Sequence, residues 1–322
     1  MNASDKPLLL IALGGNALIQ KGQKGTAEEQ FANLKAPMRQ IARLSQGYRI
    51  VITHGNGPQA GNLLLQQESC REVPEMPLEI IVAMTQGQIG YMIESTLDRA
   101  LMEIGVTNEQ LFLSLISYVV VDEKDPAFQH PTKPIGPFHS EEEARRLPYK
   151  MIKTDKGYRR VVASPKPLAI VEHREIKKLI DTGFIVICCG GGGIPVIRKD
   201  RKFRGVDAVI DKDLASAVLA AEIKADAFLI ASDVAGVCLD WGTPQQRQLC
   251  RVSAAELEGY RAQGHFPAGS MGPKVQALLE FHRATGSRGI ICHIEDIERA
   301  AAGAAGTEVG WEVSRSPVSP PQ

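Results

Sequence analysis

A surplus of charge of either sign is absent from this 322-residue chain, where Lys+Arg and Asp+Glu both number 37. No global field therefore favours nucleic acid or an anionic membrane, and the expected partner is a small molecule. Long apolar runs are missing as well. The N-terminal stretch Leu8–Leu13 ends in Gly14-Gly15, too short for a spanning helix and without a signal-peptide cleavage pattern, which predicts a cytoplasmic protein. The six cysteines contain no C-x-x-C pair, although Cys188 and Cys189 are adjacent. Neither a disulfide framework nor a zinc ribbon is expected, and the thiols read as reduced and buried in strands.

Familiar catalytic signatures are lacking too. Without G-x-x-x-x-G-K-[ST] the chain is not read as a P-loop enzyme, and without G-x-G-x-x-G and a downstream acid it is not read as a dinucleotide enzyme. A G-x-S-x-G elbow and an H-E-x-x-H helix are absent, which argues against hydrolase and metalloprotease chemistry. There is no internal repeat.

What is present is an alternation. Apolar runs rich in branched residues at Leu8–Leu13, Arg49–Thr53, Leu113–Val121, Phe184–Cys189, Ala227–Ala231 and Gly289–Ile294 read as strands buried on both faces. Helix signals lie between them: Thr26 and Glu29 form a capping box, and Phe31, Leu34, Met38, Ile41 and Leu44 keep a helical spacing that Pro37 is expected to kink or break. This pattern predicts an α/β fold, a three-layer α/β/α sandwich around a mostly parallel open sheet, with its ligand site at the carboxyl ends of the strands. One large domain, residues 1–313, is expected. Residues 122–164, rich in proline, charge and aromatics, read as an inserted lid subdomain, and the Ser/Pro-rich 314–322 as a disordered tail.

Three glycine-rich turns follow predicted strands: Gly14-Gly15-Asn16, Gly55-Asn56-Gly57 after His54, and Gly190–Gly193. Glycine lets the backbone approach an anion closely, and successive N–H groups with a helix N-terminus behind them make a phosphate cradle. Phosphoryl transfer also needs positive charge aimed at the cradle. Lys212, between Asp211 and Asp213 at the entry to an Ala-rich helix, is one candidate, and its bland reading is a solvated helix start. Lys274, after Gly269-Ser270-Met271-Gly272-Pro273, is another. His54 reads as a turn-stabilising side chain rather than a base.

Ala12-Leu13-Gly14-Gly15-Asn16-Ala17, His54–Gln59, Pro131–Phe138, Ser164–Pro167, Gly190–Pro195, Ile210–Ala215 and Gly269–Lys274 occur in this order in carbamate kinases, and the chain resembles that family from about Leu8 to Val309. Other members of the amino-acid kinase superfamily usually carry a lysine where Ala12 stands. The resemblance implies the amino-acid kinase fold and reversible phosphoryl transfer between ATP and carbamate, yielding ADP and carbamoyl phosphate. Run in reverse, it would make ATP in arginine, agmatine or purine breakdown. It implies that Gly14, Gly15, Asn16, Gly55, Asn56 and Gly57 embrace the transferred phosphoryl group and the carbamate. Lys133 would reach in from the subdomain, Lys212 would neutralise the transferring phosphate, and Asp213 would orient the lysines. Nucleotide contacts are implied at Gly191, Gly192, Ser232, Asp233, Met271 and Lys274, although Ser232-Asp233-Val234 departs from the usual Thr-containing wording. ATP/ADP as substrate, Mg²⁺ with no side chain assigned to bind it, and a homodimer complete the implied set. Two alternatives stay open: a kinase for another small carboxylate, or a non-catalytic nucleotide-binding relative.

Overall fold

The structure is a computed structural model that describes residues 6–70, 72–106, 110–267 and 269–310, without the side chain of Asn16. The tail expected at 314–322 lies outside the described residues. The strand β1 (Leu8–Leu13) leads through a 3-10 turn at Gly15–Ala17 to α1 (Ala27–Leu44), β2 (Arg49–His54), α2 (Gly57–Ser69) and the long α3 (Leu78–Glu103). Then come β3 (Phe112–Ser114), β4 (Tyr118–Val120), β5 (Lys133–His139), α4 (Glu141–Arg146), β6 (Met151–Thr154) and β7 (Gly157–Val162). Next are β8 (Ala169–Ile170), α5 (His173–Asp181), β9 (Ile185–Ile187), β10 (Ile194–Lys199), β11 (Lys202–Gly205), α6 (Lys212–Glu222) and β12 (Ala227–Ser232). The chain closes with β13 (Cys238–Leu239), β14 (Arg247–Gln248), β15 (Arg251–Val252), α7 (Ala254–Ala262), α8 (Met271–Thr285), β16 (Arg288–His293), α9 (Ile297–Ala301) and β17 (Thr307–Val309).

Eight strands form the central sheet in the order β15-β17-β16-β12-β1-β2-β9-β3, parallel throughout except where β16 meets β17. The burial of β1 on both sides explains its unbroken apolar run. Leu8, Leu10 and Ala12 pack into a core shared with α5, α6 and α8, whereas Leu9, Ile11 and Leu13 pack into a second core with α1, α3 and α9. Alternate side chains of one strand thus serve the two helical layers of the sandwich.

Three sequence expectations are corrected. Pro37 does not break α1, which runs continuously from Ala27 to Leu44 behind the Thr26–Glu29 capping box. Proline removes one intrahelical N–H bond, but the neighbouring turns bury Leu34, Met38 and Ile41 completely, and tertiary packing outweighs that local loss. The run Leu113–Val121 is two strands, not one. The buried Gln86 side chain accepts from Ser117 N at 2.9 Å and donates to Ser117 O at 3.2 Å, so the chain leaves β3 in the central sheet and enters β4 in a second, four-stranded sheet, β11-β10-β4-β8. Of the thiols, Cys188, Cys189 and Cys292 are buried, but Cys70 and Cys250 are exposed.

Between β4 and β8 the chain builds a separate antiparallel sheet, β5-β7-β6, braced by α4. It meets the body where Gly61 of α2 faces Gly136 of β5, so closely that a Cβ on Gly61 would sit 3.5 Å from the Gly136 Cα. Within the body, Phe228 of β12 and Phe281 of α8 are wholly buried and meet edge to face at 5.6 Å. Phe228→Ala is expected to cost about 3–5 kcal/mol of unfolding free energy, read from the shift in a urea midpoint. A loss below ~1 kcal/mol would show that this contact does not anchor α8 to the sheet.

Candidate active site

Every glycine turn lies at the carboxyl edge of the central sheet. Gly14 N donates to Ala231 O at 2.8 Å and Gly55 N to Leu13 O at 3.1 Å, so the ends of β1, β2 and β12 are stitched together where the turns begin. A Cβ on Gly14 would sit 3.1 Å from the Ala231 carbonyl, a contact that a larger residue would have to push apart. Gly191 has φ +67°, and a Cβ there would fall 2.2 Å from Asn56 Nδ2, so glycine alone fits beside that amide. Asn56 Nδ2 donates to the buried Thr85 Oγ1 at 2.9 Å, and Gln86 Nε2 donates to Gly190 O at 3.2 Å. Helix α3 therefore fixes two of the turns from below.

These turns face a cleft of about 680 Å³. Gly14, Gly15, Gly55, Asn56, Gly57, Lys133, Gly191, Lys212, Asp213, Ser232, Asp233 and Lys274 all line it. Met271 instead lines an adjoining pocket of about 240 Å³, walled by Trp241, His265 and Phe266, which shares Ser232, Asp233 and Lys274 with the main cleft. Gly192 lines neither and packs against the Ile210 carbonyl. The Asn16 side chain falls outside the described residues, while its backbone continues the 3-10 turn after Gly14.

The charges are tightly organised. Asp213, on the first turn of α6, has a side chain only 5% exposed and receives Lys212 Nζ on one oxygen and Lys274 Nζ on the other, the latter at 2.8 Å. Burial would raise the Asp213 carboxyl, but the two lysines outweigh it and hold its pKa down to about 2. Burial pushes the Lys212 ammonium below its ordinary value; Asp213 pulls it back up and Lys274 pushes it down again. On the other wall, Lys133 Nζ donates to Asp211 Oδ2 at 3.2 Å, and Asp211 Oδ1 caps α6 by accepting from Asp213 N. Residues from α6, α8 and β5 thus bring three ammonium groups to one cleft.

Sequence reasoning missed Thr85 and Gln86, which look like ordinary helix residues, and Asp211 as the counter-ion of Lys133. It also missed Arg159 of β7, which lines the cleft. Its only signal was a strand alternation inside a segment that looked irregular.

His54 is wholly buried, and its Nδ1–H donates to Gly55 O at 3.0 Å. Burial lowers its pKa from 6.5 to about 4, so the ring is neutral and serves the turn.

Fold and cleft together define a kinase that works without a P-loop. Residues 7–293 match the Amino acid kinase family. The chain is 48% identical over 310 residues to the carbamate kinase of Pyrococcus furiosus and 47% identical over 310 residues to that of Pyrococcus horikoshii, covering 94% of this chain and 98% of each relative. The solved structure of carbamate kinase from Giardia lamblia bound to AMP-PNP superposes with a TM-score of 0.89 at 40% identity, over 95% of this chain and 99% of that one. The chain belongs to the amino acid kinase family, in its carbamate kinase branch. No helix among the described residues is long and apolar enough to cross a membrane.

The His54 shift has a pH signature. Below pH 6.5 the unfolded chain binds a proton that the native site refuses until about pH 4, so the stability is complete above 6.5 and lost as pH falls through that window. Between pH 7.5 and 5, native protein should lose on the order of 2 kcal/mol more than His54→Asn does, measured by urea unfolding at both pH values. Equal losses would show that His54 is not held neutral.

Proposed function

We propose that the chain interconverts ATP and carbamate with ADP and carbamoyl phosphate, and that it runs toward ATP when carbamoyl phosphate is supplied. The observation that carries this reading is the convergence of Lys212 and Lys274 on Asp213 beside the glycine turns, with Lys133 on the facing wall.

Carbamate is an anion at neutral pH, so its oxygen can attack the γ-phosphorus without losing a proton to a base. A buried neutral histidine occupied by its own turn suits such a site. The barrier lies in bringing two anions together and in the charge spread over the equatorial oxygens. In this reading Gly14, Gly15, Asn16, Gly55, Asn56 and Gly57 hold the phosphoryl group and carbamate on their amides. Lys212 neutralises the transferring group, Asp213 keeps Lys212 and Lys274 apart yet both aimed inward, and Lys274 meets the nucleotide phosphates. The base and ribose are assigned to the adjoining pocket of Ser232, Asp233 and Met271, while Gly191, with Gly192 behind it, meets the nucleotide from the main cleft. Residues 122–164 act as a lid that delivers Lys133.

Mg²⁺ would neutralise the nucleotide phosphates when bound. Among the described residues no three His, Cys, Asp or Glu side chains converge on one point, so the phosphates and water would hold most of the ion, as this cation usually requires. Asp233 lines the cleft, receives the Ser232 hydroxyl at 3.0 Å and among the described residues no ion pair, and is the carboxylate offered for it. A homodimer in the cytoplasm is part of the same reading. The exposed apolar side chains Ile80, Met84 and Tyr91 of α3, with Ile116, Tyr118 and Phe203, supply surface for a second copy.

ATP formation from ADP, carbamoyl phosphate and Mg²⁺ in a coupled assay is the direct test, and a folded protein with no turnover would reject the activity. Lys212→Ala should lower kcat by about 100- to 1,000-fold, because it removes charge that acts on the transition state, while the far-ultraviolet circular dichroism is unchanged. An unaltered kcat would take Lys212 out of the mechanism.

A further inference from the structure

Lys133, Lys212 and Lys274 each have a carboxylate partner within the cleft. Arg159 does not. Strand β7 places Arg159 and Arg160 on opposite faces, and the two guanidinium groups meet opposite fates. Arg160 lies over the Tyr149 ring at 3.9 Å and pairs with Glu68 at 3.8 Å and Asp207 at 3.6 Å. Arg159 faces the cleft, with its guanidinium over the Phe138 ring at 5.1 Å and one Nη2–H donated to Gly136 O at 2.9 Å. Its Nε is buried without a hydrogen-bond partner, and among the described residues no carboxylate forms an ion pair with it. Burial lowers its pKa.

An unpaired buried N–H on a guanidinium without a counter-ion is costly, and such groups persist where a ligand supplies the missing acceptor. The geometry points to Arg159 as a substrate-binding residue: with Nε enclosed and one Nη2–H on Gly136, the remaining terminal N–H donors of the cleft-lining guanidinium receive an oxyanion of the acceptor substrate, the carboxylate of carbamate or a phosphoryl oxygen of carbamoyl phosphate. Its position selects the acceptor rather than the nucleotide. Arg159 is tied to Gly136, which lies against Gly61 in the helix that follows the Gly55–Gly57 turn, and it has no part in the pocket beside Met271. The planar fork of arginine suits either oxyanion, which a lysine's single ammonium matches less well. With Lys133 on the adjoining strand β5, the small sheet then carries two cations to the acceptor end of the cleft.

This assignment rests on the proposed carbamate kinase activity, and the experiment separates the two. Steady-state kinetics on Arg159→Met should show the KM for carbamoyl phosphate raised about 10- to 100-fold, as for loss of a charge-assisted hydrogen bond, with the KM for ADP within about twofold. Arg159→Lys should restore part of the loss and, should the methionine variant fail to fold, gives the same reading alone through a several-fold rise confined to carbamoyl phosphate. Phe138→Leu, which removes the ring beneath the guanidinium, should leave the carbamoyl phosphate KM within about twofold if the role is substrate contact rather than packing. Unchanged constants in the arginine variants, or equal rises for both substrates, would overturn the inference. Calorimetric titration with sodium sulfate reads the oxyanion site without turnover: Arg159→Met should bind sulfate about tenfold or more weakly than the native protein. A protein that binds sulfate through Arg159 but makes no ATP rejects the activity and keeps the anion site; one that makes ATP with native constants in the variants does the reverse.

Discussion

Two lysine ammonium groups share one buried carboxylate at the head of α6, and the layout of the cleft follows from that contact. Without Asp213 the ammonium groups of Lys212 and Lys274 would repel each other in a region of low dielectric, and at least one would swing toward solvent or lose its proton. With it, both ammonium groups are held on one carboxylate at the cleft. The cost of burying these ions is offset in large part because each oxygen of Asp213 meets a different lysine, with Asp211 adding to the field at Lys212. The carboxylate also binds α6 to α8, two helices on the same face of the sheet that would otherwise meet only through apolar packing.

The parallel sheet makes that contact possible. Its central strands end at the same edge, and hydrogen bonds from Gly14 to Ala231 and from Gly55 to Leu13 bring the glycine turns into register. The N-terminus of α6 opens at this edge too, so the helix dipole and the lysines act in the same direction on an anion. The other wall is made by a small sheet of different construction, joined to the body at the glycine pair Gly61 and Gly136. Its cations answer those of the body across the cleft, and a bound anion would lie between charges carried by the small sheet and charges carried by α6 and α8.

How far this could be read in advance depends on the range of the interaction involved. Strands such as Leu8–Leu13 were legible because burial on both faces writes an unbroken apolar run, and α1 because its cap and spacing are local. Pro37 was misjudged for the same reason: its local penalty is visible in sequence, whereas the packing of Leu34, Met38 and Ile41 that overrides it is not. Leu113–Val121 looked like one strand because no local signal announces that the Gln86 side chain, a full helix earlier, will end it. In the site, glycine turns and the lysine between two aspartates stand out by composition. Arg159 did not, since a strand inside a Pro-rich segment gives little alternation to read.

The sequence by itself determined the class of fold, the principal strands of the central sheet and the family, because periodicity, turn chemistry and motif order are properties of neighbouring residues. Only the tertiary structure decided which charges meet. Asp213 and Lys274 are separated by most of α6, four strands and α7, Lys133 and Asp211 by the whole of the small sheet and more, and the lack of an ion pair on Arg159 among the described residues contrasts with the partners that Arg160 takes on the opposite face. Electrostatic pairing acts through space at a few ångströms, so it is settled by how the sheets and helices pack and not by distance along the chain.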